Sequence, residues 1–84
     1  MSKNEKLINR MNQKPTPKDI SFLEFDNYVK IYGFQLDRVN GSHFTFINKK
    51  SKISITIATH NNYVKPFYIM EFNKRIKIWG LKND

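Results

Sequence analysis

The sequence predicts an α+β domain with helices packed on one face of a three-stranded antiparallel sheet, in the order helix, helix, three strands, helix. Apolar residues recur at helical spacing in two places, at Phe22, Phe25, Val29 and Tyr32 and again at Ile69, Phe72, Ile76 and Trp79. Between them, residues 34–39, 42–47 and 52–58 alternate apolar with polar side chains, the period of half-buried strands. A chain of 84 residues with no cysteine supports one core and no disulfide framework or thiolate metal site.

Residues 1–14 carry a weak helical pattern in Leu7, Ile8 and Met11, and Pro15 and Pro17 then stiffen a connector. We divide the chain into residues 1–17, this helix and its proline linker, and a domain over residues 18–84. A frayed tail is the competing reading of the first helix, because short helices without tertiary support are marginal. The second helix has both ends specified. Ser21 and Glu24 form a capping-box pattern, and Gly33 follows the last turn with Phe34 placed to close it. An aromatic stripe of this spacing reads as core, not as a cofactor box.

In the first strand Phe34 and Leu36 alternate with Gln35 and Asp37. Asn40-Gly41 is a strong hairpin signal, since both residues tolerate the positive φ of a tight type I′ turn. The second strand then puts Phe44 and Phe46 on one face and His43, Thr45 and Ile47 on the other. Residues 48–51 read as a polar, basic turn. In the third strand Ile53, Ile55 and Ile57 alternate with Ser54 and Thr56. Residues 59–65 read as a polar loop, and Pro66 opens the last helix where its missing N–H costs nothing. Gly80 ends that helix.

With Phe44 and Phe46 turned toward the helices, His43 and Thr45 face away across an open sheet, together with Gln35, Asp37, Ser54 and Thr56. A polar, exposed sheet in an α-β-β-β-α order is the layout of the double-stranded-RNA-binding (dsRBD-like) fold.

Charge points the same way. Of the net +8, residues 1–37 carry +1 and residues 38–84 carry +7, so the positive field belongs to the part that contains His43. A polyanion is its natural partner, and a basic surface kept for solubility is the competing reading. No apolar run reaches the length of a membrane span and no apolar segment follows Met1, so a cytoplasmic protein without membrane attachment is expected.

Several stretches together resemble the HicA toxins of bacterial toxin–antitoxin pairs (the YcfA-like family). They are Gly33-Phe34, Arg38-Val39-Asn40-Gly41-Ser42-His43, the isoleucine strand 53–57, and His60 followed after a spacer by Lys65-Pro66 and the helix led by Ile69. The match runs from about Asp19 to about Ile78. It implies a dsRBD-like fold and an mRNA-cleaving activity, held in check by a HicB-like antitoxin. The family's catalytic histidine maps onto His43, with Gly41 and Ser42 in the turn before it. Many members carry a second histidine where this chain has Phe44, and the helix at residues 1–14 lies outside the shortest members.

The chemistry fits the residues. RNA cleaves itself when the ribose 2′-OH is deprotonated, the phosphorane is stabilised and the 5′-oxygen is protonated. Histidine suits either proton transfer because imidazole as a class titrates near neutrality. No cofactor is expected, since two histidines with scattered carboxylates make no convincing metal set. Arg38, across the hairpin from His43, and Lys65 are the candidates to stabilise transition-state charge. Lys49, Lys50 and Lys52 would hold the RNA backbone farther off. His60 stands as an auxiliary candidate: a second acid or base, a positioning donor, or, as a loop histidine usually is, a partner for backbone groups. Three classes follow: a metal-independent ribonuclease toxin, a non-catalytic RNA-binding module of the same fold, and a protein-interaction domain for an acidic partner. The first is the reading the resemblance favours.

Overall fold

The structure is a computed structural model that describes residues 2–81; the outer ends of the two expected segments, residue 1 and residues 82–84, lie outside it. Its elements run α1 (Lys3–Met11), α2 (Phe22–Ile31), β1 (Gln35–Asn40), β2 (His43–Asn48), β3 (Ile53–His60), β4 (Tyr63–Val64) and α3 (Pro66–Trp79). The sheet is antiparallel with strand order β1-β2-β3-β4. It therefore has four strands where the sequence led us to expect three. The stretch read as a polar loop contains the end of β3, a tight turn and β4. Asn61 and Asn62 make that turn, with φ of 51° and 68°. Asparagine is the non-glycine residue best suited to such a conformation.

The helix ends follow their caps. Ser21 Oγ accepts from the Glu24 N–H at 3.1 Å while Glu24 Oε1 accepts from the Ser21 N–H at 3.2 Å, closing the capping box. Pro66 occupies the first turn of α3, and Gly80 ends it in the left-handed region. For α1 a further cap is present that we did not read from the sequence: Ser2 Oγ accepts from the Glu5 N–H at 3.2 Å.

One core joins the three helices to β2, β3 and β4, with Phe34 entering it just before β1. Phe25, Tyr28, Val29, Phe34, Phe46, Ile57, Ile69, Phe72 and Ile76 are buried in it, and Met11 brings α1 into the same cluster. The α2 stripe lies on the sheet through Phe22, whose ring centroid is 4.2 Å from that of Phe44, and Phe25, 5.8 Å from Phe46. Phe72 of α3 packs edge-on against Phe25, Tyr28, Tyr32 and Phe34. A polar spine holds α1 in place. The buried Tyr28 hydroxyl donates to Asn73 Oδ1, and Asn73 Nδ2 donates to the Met11 carbonyl at 2.9 Å. Burial pushes the Tyr28 phenol well above its usual range. Among the described residues no helix is long and apolar enough to cross a membrane.

Two local expectations are corrected. Asn48 is not a turn residue: it is buried at the end of β2, where Nδ2 donates to the Tyr32 carbonyl at 2.9 Å and Oδ1 accepts from the Ser51 N–H at 3.0 Å. The β1–β2 hairpin also turns one residue later than Asn40-Gly41. Asn40 pairs with His43, so Gly41 and Ser42 form the turn, with Gly41 alone at positive φ (63°). A glycine with positive φ at the first of two central positions is the pattern of a type II′ turn, the other tight hairpin solution.

Candidate functional site

Register decides what the open face carries. Residues directly opposite in an antiparallel pair share a face, so the pairings sort the side chains into rows. Leu36, Phe46 and Ile55 make one inward row, and Val39, Phe44 and Ile57 the next. Leu36 and Val39 are three apart in sequence and strict alternation would put them on opposite faces. A β-bulge between Leu36 and Arg38 absorbs the extra residue, Asp37, and sets both on the face of Phe44 and Phe46, although at this edge of the sheet both side chains stay exposed.

The bulge has a consequence on the other side of the sheet. The outward rows become Gln35, Ile47 and Ser54; then Arg38, Thr45 and Thr56; then Asn40, His43 and Ala58. Arg38 is thus on the open face with His43, but not directly across from it as the sequence suggested. Asn40 holds that position, and Arg38 lies one row further along β1. Asp37, expected on the open face in regular alternation, sits in the bulge, with Oδ2 3.4 Å from Arg38 Nε. The two threonines of the middle row are joined, Oγ1 to Oγ1, at 3.0 Å.

His43 is exposed at the first position of β2. Its backbone is fixed by pairing on both sides, to Asn40 and to Ala58. The adjoining turn is held as well, because the Thr59 N–H donates to the Ser42 carbonyl at 3.0 Å. A titratable side chain is thereby presented to solvent from a rigid strand.

His60 belongs to this face too. β3 runs unbroken from Ile53 to His60, so Ser54, Thr56, Ala58 and His60 point to one side. Inward burial of Ile57 and of Val64, the partner of Thr59, agrees with that parity. His60 is two residues beyond Ala58, the residue opposite His43, and it pairs with the half-exposed Tyr63. The β3–β4 hairpin is anchored to the helical layer: Phe22 N–H donates to the Asn62 carbonyl and Val64 N–H to the Ile20 carbonyl, both at 2.8 Å. Asn40 and Tyr63 are members of the face that sequence reasoning missed, whereas Thr45 and Thr56 lie where it put them. An Asn-Asn pair between two short alternating runs was the signal for the hairpin that carries Tyr63.

The lysines are spread out. Lys49, Lys50 and Lys52 lie exposed around the β2–β3 turn, at the far end of β2 from His43. At about 3.3 Å per residue that end is roughly 17 Å away, a few nucleotides of backbone. Lys65 is exposed at the N-cap of α3, directly after β4. Gly41 and Ser42 are exposed at the hairpin tip. The arrangement is a flat, open face with two imidazoles, a guanidinium and hydroxyls, flanked by ammonium groups. Such a surface suits an extended polyanion better than a small molecule, which needs a concave site.

No family model matches the chain, and no curated protein or solved structure matches it either.

Proposed function

We propose that the chain is a metal-independent endoribonuclease of dsRBD-like layout, the toxin of a HicA-type toxin–antitoxin pair. Its substrate is mRNA and its regulator a HicB-like antitoxin. The observation that carries this reading is the exposure of His43 on a rigid, open sheet face that Arg38 shares. His43 takes or gives the proton at the cleaved phosphate, and Arg38 offers positive charge where the phosphorane develops it. Gly41 and Ser42 shape the turn that presents His43, while Lys49, Lys50, Lys52 and Lys65 hold neighbouring phosphates.

Incubating the purified chain with a defined RNA in EDTA tests the reading. Cleavage is expected, and His43→Ala should slow it about 10²–10⁴-fold, the usual weight of one proton-transfer group, while remaining folded. An equal rate in the variant would remove His43 from the chemistry. Salt-dependent RNA binding without cleavage would favour the RNA-binding module, and no RNA binding at all would favour the protein-interaction domain.

A further inference from the structure

The geometry points to His60 as the second proton-transfer group of the same reaction, an inference that rests on the ribonuclease reading and completes its chemistry. The two histidines lie far apart in sequence, but the β2–β3 register sets them on one face. His43 is opposite Ala58, and His60 is the next residue of β3 on that side. Such diagonal neighbours are separated by about 7–8 Å at the backbone, within reach of one another's side chains. One phosphate between them could meet an imidazole on each side, each needing only a hydrogen bond of about 2.6–3.2 Å to its oxygen. Both positions are anchored, His43 by its two strand partners and His60 by pairing with Tyr63. The other charged or titratable groups around the pair are Arg38 on β1 with Asp37 beside it, Tyr63 on β4, and Lys65 after it. None of these needs to gain or lose a proton for the step to balance.

One histidine, neutral, removes the proton from the ribose 2′-OH as that oxygen bonds to phosphorus. The P–O5′ bond breaks, and the other histidine, protonated, gives its proton to the departing 5′-oxygen. The products are a 2′,3′-cyclic phosphate and a 5′-hydroxyl. The two imidazoles finish with their protonation exchanged, and solvent resets them. No oxidant or co-reactant enters.

The test compares wild type, His43→Ala, His60→Ala and His60→Gln on two short RNAs that differ only at the cleaved bond. One has the natural 5′-oxygen and the other a bridging sulfur, which leaves without being protonated. Rates are followed across neutral pH, and folding is checked by amide NMR spectra. Wild type is expected to show a bell-shaped pH profile on the oxygen substrate and to form the cyclic phosphate. Both His60 variants should lose about 10²–10⁴-fold on it, with one limb of the bell gone. Sulfur should restore either the His60 variants or His43→Ala, but not both, and the restored position is the acid. A His60→Gln rate near wild type, or a loss equal on both substrates with the bell unchanged, overturns the pair and leaves the role of His43 standing. If the wild type cleaves neither RNA, the ribonuclease reading fails and the pair with it.

Discussion

Gly33 and Gly41 both adopt positive φ, 88° and 63°, yet their surroundings differ. A side chain at either position incurs the left-handed penalty of roughly 1–2 kcal/mol. At Gly41 nothing lies within 4 Å of an added Cβ, whereas at Gly33 that carbon would stand 3.1 Å from Asn48 Nδ2. Asn48 cannot yield without loosening its bond to the Tyr32 carbonyl, so Gly33→Ala should be the costlier change by about 1 kcal/mol or more. Urea unfolding of the two variants checks this, and equal losses would mean that Asn48 moves freely. The phenylalanines of β2 offer a second comparison. Phe46 is fully buried while Phe44 is only partly so, its ring tilted at 36° against that of Phe22. Phe46→Ala should cost about 3–5 kcal/mol, Phe44→Ala clearly less, and Thr45→Ala little. Equal losses at Phe44 and Thr45 would reverse the faces of β2, and with them the exposure of His43.

Among the elements, α1 and α2 are coupled through one carboxylate. Glu24 closes the capping box of α2 and also receives Arg10 Nε at 2.7 Å, while Arg10 reaches Asp19 at 3.2 Å. Partial burial pushes the Glu24 carboxyl up, but the Arg10 hydrogen bond, the Ser21 N–H and the Arg10 charge outweigh it and hold it below its ordinary value. A carboxyl with a depressed folded-state value binds its proton more readily in the unfolded chain. Its contribution is therefore complete above the unfolded value and is lost as pH falls through the folded one. Glu24→Gln keeps an oxygen for the Ser21 N–H but removes the charge. The variant should be less stable at neutral pH, and the gap should close as the pH falls below the carboxylate range. Urea midpoints measured at neutral and acid pH check this. A gap independent of pH would mean that the Arg10 pair contributes nothing.

For the whole molecule, an active face that lies open on the sheet cannot be silenced by burial within its own small domain. Control of the proposed toxin then requires a partner that covers the face and meets its positive charge with carboxylates. In a complex with a HicB-like antitoxin, hydrogen exchange should slow over residues 42–47. Protection confined to the helices would instead mean inhibition at a distance. The distribution of lysines predicts how the partners meet. Lys49 and Lys50 lie at the end of the face remote from His43, so changing both to Glu should slow association and flatten its salt dependence more than it hastens dissociation. Stopped-flow association at two salt concentrations measures that directly.

Local chemistry was legible in the sequence. Ser21 and Glu24 cap α2, Pro66 opens α3, Gly80 closes it, and the period-two pattern of β2 and β3 sorts His43 from Phe44. Each depends on side chains within a few residues of one another. What only the tertiary structure decided is non-local. Turning at Gly41-Ser42 and bulging at Asp37 together put Leu36 and Val39 on the helix side of the sheet, where both stay exposed, and they place Arg38 on the open side. Asn48 reads as a turn residue until the Tyr32 carbonyl at the end of α2 comes within its reach. The β3–β4 pairing extends β3 as far as His60, and the β2–β3 register brings that histidine beside His43. Register depends on which strand finds which partner, and a shift of one residue sends every side chain to the other face. The sequence therefore named the two histidines, and the register of the β2–β3 pair put them on one face.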